Sequence, residues 1–139
     1  MITENYIKMC EQAEEIQKLC QYGQGDWFIN VAHEFEVIPD WATEHMKEWY
    51  KYYYHKWLPT QEQLQEMLTM DTNYAKEYNK KTGAIFCGFY IFLDMMDWVR
   101  NWLEKPTKIN CNSLNEMWLS YVMYKKYNKF WTGEKWKTT

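Results

Sequence analysis

The stretch GQGDWFINVAHEFEVIP, residues 23–39, decides the fold class, because its hydrophobic residues stop recurring every three to four positions and begin to alternate. Trp27, Ile29 and Val31 alternate with Phe28 and Asn30, and Phe35 and Val37 alternate with Glu34 and Glu36. Period-two alternation marks a strand with one covered face, and here glycines and a proline bound the run. One or two short strands are expected, forming a small β hairpin near residues 26–38. Since an isolated hairpin is marginal in water, it has to pack on helices.

Helical signals surround it. Thr3 is suited to cap a helix in which Tyr6, Met9, Cys10, Ala13, Ile16, Leu19 and Cys20 share one face, with Gly23 as the stop. Trp41, His45, Trp49, Tyr53 and Trp57 then fall every four residues, which predicts a helix from Pro39-Asp40 to about Tyr50. YKYYYHKW has strand composition as well, so residues 51–57 stay open between the two forms. Next comes KWLPTQEQLQEML, residues 56–68. Thr60 and Gln63 have the spacing of a capping box, Pro59 and Leu64 that of a hydrophobic staple, and Leu64, Met67 and Leu68 form a stripe to bury. Its glutamines and glutamates are then the wet face of a helix rather than chemistry.

Residues 70–82 are polar and give no firm assignment. Gly83 to Glu104 reads as the central helix, apolar all round at first and amphipathic later through Met96, Val99, Trp102 and Leu103, with Pro106 ending it. Ser113 and Glu116 form a second capping box, opening a helix that carries Leu114, Trp118, Tyr121, Val122 and Tyr124 toward a turn at Gly133. The expected fold is mainly α (α+β): a compact bundle of about four to five helices with the small hairpin, in a single domain over residues 1–139.

Composition narrows the function classes. The 139 residues suffice to bury roughly two-thirds of the unfolded surface without staples. Nine Trp, twelve Tyr and six Phe bring aromatics to 19%. Each buried ring removes about 150–250 Å² from water, so this is more than such a core needs, and some rings should line a surface or groove. GAIFCGFYIFL, residues 83–93, is the longest uncharged apolar run and falls short of the about 20 residues of a membrane span. Residues 1–20 show no basic region followed by an apolar run, so a cytosolic protein with reduced thiols is expected.

Fifteen lysines stand against a single arginine, Arg100, which resembles translation of an A/T-rich genome and disfavours sequence-specific reading of nucleic acid. Charge is uneven. Residues 1–40 carry eight acids and two lysines, net −6, whereas residues 121–139 carry five lysines and one acid, net +4.

No conventional site emerges. Cys10, Cys20, Cys87 and Cys111, with His33, His45 and His55, show no metal-ligand spacing, so the cysteines read as small core hydrophobes and no metal or cofactor is expected. A pair such as Cys111 with His55 has no local signature of nucleophilic catalysis. Gly23-Gln-Gly25 precedes a strand, the wrong order for a phosphate cradle. Asp94 and Asp97 interrupt the most apolar helix, and a structural partner such as a Tyr hydroxyl or Trp N–H is expected there. The carboxy-terminal YKKYNKFWTGEKWK places Tyr124, Tyr127, Trp131 and Trp136 among Lys125, Lys126 and Lys129, a mixture that suits base stacking with phosphate neutralisation. It equally suits a helix end whose lysines favour the carbonyl terminus and whose rings pack inward. Trp57, unexplained by helix-start rules, is added to these seven as a candidate contact residue.

YIKMCEQAEEIQ (6–17), WLPTQEQLQEML (57–68) and LNEMWLSYVMYKKYNKFWTGEKW (114–136) resemble blocks of a group of small proteins encoded by phages and prophages of low-G+C Gram-positive bacteria. That group carries no assigned activity, so the resemblance implies a class of jobs and no site residues. The job is a non-enzymatic protein acting in the bacterial cytoplasm on a host or phage protein complex, including inhibition of a defence system such as CRISPR–Cas. Two alternatives come from other classes: a single-stranded nucleic-acid-binding accessory protein using the basic aromatic terminus, and a small enzyme built on Asp94 or Cys111.

Overall fold

The computed structural model describes residues 2–69, 87–103 and 110–139, and the expectations for residues 70–82, for the start of the central helix and for Pro106 lie outside them. The chain divides into two compact units, an amino-terminal one over residues 2–60 and a carboxy-terminal one from Gln61 to Thr139. Both helices and antiparallel sheet are present, which is the α+β class read from the sequence.

In the amino-terminal unit, α1 (Glu4–Gln12) starts as expected, with the Thr3 side chain accepting a bond from the Tyr6 N–H. The single helix expected to run on toward Gly23 is instead broken at Ala13, whose ψ of 71° leaves the helical region, and only a short α2 (Glu14–Gln17) follows. Gln17 accounts for the break. Its amide donates to the carbonyls of Cys10 and Trp57 and accepts from the Trp57 N–H, so it binds the freed backbone and a distant strand at once. The expected face is buried as far as Ile16, while Leu19 beyond it is exposed.

Residues 23–39 form the hairpin, β1 (Trp27–Asn30) and β2 (Phe35–Val37), paired antiparallel with Trp27 opposite Val37 and Ile29 opposite Phe35. Gly25 carries a φ of +84° at its entrance, a conformation that favours glycine. Asn30 builds the turn: its Oδ1 accepts from the N–H groups of Ala32 at 2.8 Å and Glu34 at 3.0 Å, and His33 takes a left-handed φ of 61°. The helix expected from Pro39-Asp40 begins later. A 3-10 turn at Glu44–Met46 leads into α3 (Lys47–Tyr53), and the open segment resolves into the last turn of α3 followed by β3 (Tyr54–Trp57). β3 pairs with β1 to give the order β2–β1–β3.

In the carboxy-terminal unit, α4 (Gln61–Thr69) begins immediately after Thr60 and buries Leu64, Met67 and Leu68, as its spacing requires. The described part of the central helix is α5 (Cys87–Leu103), and α6 (Leu114–Tyr127) packs against both α4 and α5. The buried face of α5 is Ile91, Met95 and Trp98, with Met96 exposed, a phase different from the one expected. Apolar residues come in adjacent pairs there (Met95-Met96, Trp98-Val99, Trp102-Leu103), so two stripes one residue apart fit the helical period equally well. Here Asp94 turns toward α6, accepting a short bond from the Tyr121 hydroxyl and pairing with Lys125 at 3.2 Å. That is the structural partner expected for it. Ser113 caps α6 through the Glu116 N–H, and the buried Glu116 carboxylate returns to the Asn112 N–H at 2.7 Å. Beyond Asn128, β4 (Lys129–Trp131) and β5 (Trp136–Thr138) form a second hairpin that the sequence reading lacked.

Buried ionisable groups set a pH dependence. Burial pushes the fully enclosed Cys10 thiol far above its ordinary 9.0, and it raises Tyr6 well above 10.0. A raised value means that the folded state holds a proton the unfolded chain releases, so stability is complete below pH 9 and falls as pH rises past it. Cys10 and Tyr6 act in the same direction, so the loss steepens as pH climbs above 9. Urea midpoints should therefore drop between pH 8 and pH 10.5, and Cys10→Ala should flatten that slope.

Candidate functional site

Four exposed aromatic residues of the amino-terminal unit, Trp27, Phe35, Trp41 and Trp49, are gathered along β2. Trp27 from β1, Phe35, Glu36 and Val37 from β2, Pro39 and Trp41 from the loop, Met46, and Trp49, Tyr50, Tyr53 and Tyr54 around α3 line an open groove of about 650 Å³. That volume lies within the about 300–1,000 Å³ of ligand pockets. Successive strand residues point to opposite faces, yet Phe35, Glu36 and Val37 all border the same groove, which places it along the edge of β2 that no strand pairs with among the described residues.

Backbone register says what that edge offers. Asn30 N–H bonds to the Glu34 carbonyl and Ile38 N–H to the Asp26 carbonyl, so the hydrogen-bonded pairs of β1 and β2 alternate through Phe28 and Glu36. Phe35 and Val37 therefore turn their N–H and C=O groups away from β1, toward the groove.

Inside the groove one wall is stacked aromatics and one group is charged. The Trp49 and Tyr53 rings stack at 4.7 Å with an interplanar angle of 10°, one helical turn apart on α3. Tyr53 also donates its hydroxyl to Glu36 Oε1 at 2.9 Å, and the Asn30 amide donates to the same oxygen at 2.8 Å. That bond to Glu36 is the main reason the Tyr53 hydroxyl is raised above 10.0, whereas burial first and then Glu36 raise Tyr54. The surface is held open: Trp41 is 72% exposed and Trp49 52%. Nearby, Lys47 and Lys51 are paired with Glu44 at 2.8 Å and Glu48 at 3.2 Å. Among the described residues no ion pair engages Glu34, Glu36 or Asp40.

The residues singled out from the sequence sit elsewhere. Trp57 is in the core of the amino-terminal unit at 5% exposure, with its backbone held by Gln17, so its place is structural packing rather than a contact surface. The carboxy-terminal set lies together at the end of α6 and on β4–β5, with most rings turned inward. Tyr124 packs on Trp98 at 5.6 Å and Trp102 at 6.2 Å, and Phe130 lies on Trp102 at 5.9 Å. Trp131 is buried and faces the half-buried Trp136 across the hairpin at 5.1 Å. Lys125 is joined to Asp94, Lys126 donates to the Met67 carbonyl at 3.3 Å and lies 6.0 Å over the ring of the half-buried Tyr127, and Lys129 is half-buried on β4. Rings packed this way leave little face for stacking on bases.

Cys111 Sγ lies 3.2 Å from Ser120 Oγ, and burial pushes its thiol up to about 11, the wrong direction for a nucleophile. Among the described residues no group of three His, Cys, Asp or Glu is placed to hold a metal ion, and no helix is long and apolar enough to cross a membrane. Comparison with protein-family models, with curated proteins and with solved structures finds no match to the chain.

Proposed function

We propose that this is a non-enzymatic binding protein that holds a partner protein in the aromatic groove along β2. The observation that carries the reading is the exposure of Trp41 and Trp49 on the rim of a preformed groove. Large rings left in water gain free energy when covered, and Trp and Tyr are over-represented among residues that dominate protein–protein affinity. On this reading the partner is a host or phage protein complex in the bacterial cytoplasm. The phage-type blocks in the sequence make inhibition of a defence system such as CRISPR–Cas the leading job.

A photo-crosslinking amino acid placed at Trp41 should capture a discrete partner in cells of a low-G+C Gram-positive host, while the same group at Tyr52, 84% exposed and outside the groove, should not. With the captured protein purified, the W41A/W49A double variant should bind at least about 10-fold more weakly, as loss of two contact tryptophans implies. Equal capture from both positions, or unchanged affinity of the double variant, would remove the groove from the binding surface.

A further inference from the structure

We propose that the groove receives an extended segment of the partner protein, which adds to the free edge of β2 and carries a lysine or arginine between apolar residues. This rests on the reading of the groove as the binding surface and goes further by naming what fills it. Three independent features converge on such a segment.

The first is the edge. Phe35 and Val37 direct backbone donors and acceptors into the groove, and an extended chain satisfies such a row by strand addition, its alternate side chains entering pockets on either side. The second is the wall. Trp27, Trp41, Met46 and the Trp49–Tyr53 stack are apolar and accept aliphatic side chains or the stem of a long cationic one.

The third is charge. Glu36 is the charged side chain among the groove residues; Asn30 and Tyr53 both bond to its Oε1 and the Tyr54 hydroxyl also bonds to the carboxylate, which with about four lone-pair sites keeps acceptor capacity. Tyr53 joins this carboxylate to the Trp49 ring, touching one through its hydroxyl and the other through its face. A cation at that junction meets a carboxylate and an aromatic face together, the pairing that attracts ammonium and guanidinium groups most. The surrounding segment agrees. Residues 34–53 hold five acids and two lysines, net −3, and both lysines are already paired with acids of that segment. A phosphate backbone meets repulsion there, whereas a basic segment is drawn in.

The test uses the full-length chain, isotope-labelled, and capped pentapeptides Thr-Val-X-Val-Thr with X as Lys, Arg, Gln or Glu. The Trp41 and Trp49 indole N–H signals and the Phe35 and Val37 amides are followed through the titration. Lys and Arg peptides should shift these signals saturably, with a dissociation constant at least 10-fold lower than the Gln peptide, and the Glu peptide should be weakest. Methylating the peptide backbone nitrogens on the side that pairs should weaken binding by a further 10-fold. E36Q, whose amide oxygen still accepts from Asn30 and Tyr53, should lose the Lys-over-Gln preference while retaining the fold. Lys and Gln peptides binding alike at the groove would overturn the cationic occupant and leave the groove reading intact. Backbone methylation without effect would overturn strand addition. Absence of any shift at the groove would overturn this inference, with the groove reading still decided separately by crosslinking.

Discussion

Replacing Trp118 with alanine is expected to cost about 3–5 kcal/mol, a large share of the about 5–15 kcal/mol that holds a domain folded. Trp118 lies on α6 at 2% exposure, and its ring meets Tyr121 edge-on at 6.2 Å and Phe92 at 6.4 Å. Alanine removes the transfer free energy of the whole indole and leaves a cavity beside the fully buried Tyr121 ring, which the surrounding packing can fill only in part. Urea unfolding followed by helical circular dichroism should show a large fall in midpoint. Trp118→Phe, which keeps a ring, should lose roughly half as much. Equal stability of the alanine variant would mean that the Trp118 ring does not organise this core.

Asn30→Ala is expected to be the most damaging polar substitution, at about 2–4 kcal/mol, because one buried side chain serves four groups. Its Oδ1 holds the Ala32 and Glu34 N–H groups in the turn, and its amide donates to Glu36 at 2.8 Å and to the Tyr53 hydroxyl at 3.4 Å. Alanine frees the turn to slip and removes one of the two bonds that aim Glu36. Beyond the drop in urea midpoint, amide exchange of Phe28 and Glu36 should accelerate, since the pair they form is next to the turn. Asn30→Asp separates the two roles: it keeps the turn acceptor but sets a second carboxylate against Glu36, so its deficit should shrink as pH falls and the pair takes up a proton.

Local rules carried much of the fold. Thr3, Ser113 and the hairpin of residues 23–39 were legible because a cap, a capping box and a change of period are each written within a few residues. What escaped depends on distant partners. Ala13 is a good helix former, and nothing local predicts a break that Gln17 stabilises through Trp57, forty positions away. The phase of α5 was hidden because its apolar residues come in adjacent pairs such as Met95-Met96 and Trp98-Val99, and packing on α4 and α6 decides which member of each pair is buried. β4–β5 was missed because YNKFW and EKW are too short and too lysine-rich to alternate clearly. For the candidate site, the surplus of aromatics implied rings lining a surface or a groove, without saying where, and three members of the four-residue spacing, Trp41, Trp49 and Tyr53, border the groove. Trp57 continued the same spacing into the core, because the chain leaves the helix at Tyr54 and the period no longer describes a single face.

The amino-terminal unit closes on itself end to end: the Tyr6 hydroxyl donates to the Pro59 carbonyl, and Gln17 grips both sides of Trp57. During synthesis these partners do not exist together. Gln17 is made forty residues before Trp57, and at about 5–20 residues per second that interval is roughly 2–8 s. For that time Tyr6, Met9 and Cys10 have no strand to cover them, and the hairpin of β1 and β2 waits for its third strand. The nascent chain therefore carries an uncovered apolar segment, too short to hold a helix by itself, on every round of translation. Residues 54–59, near the end of the unit, are what end the exposure.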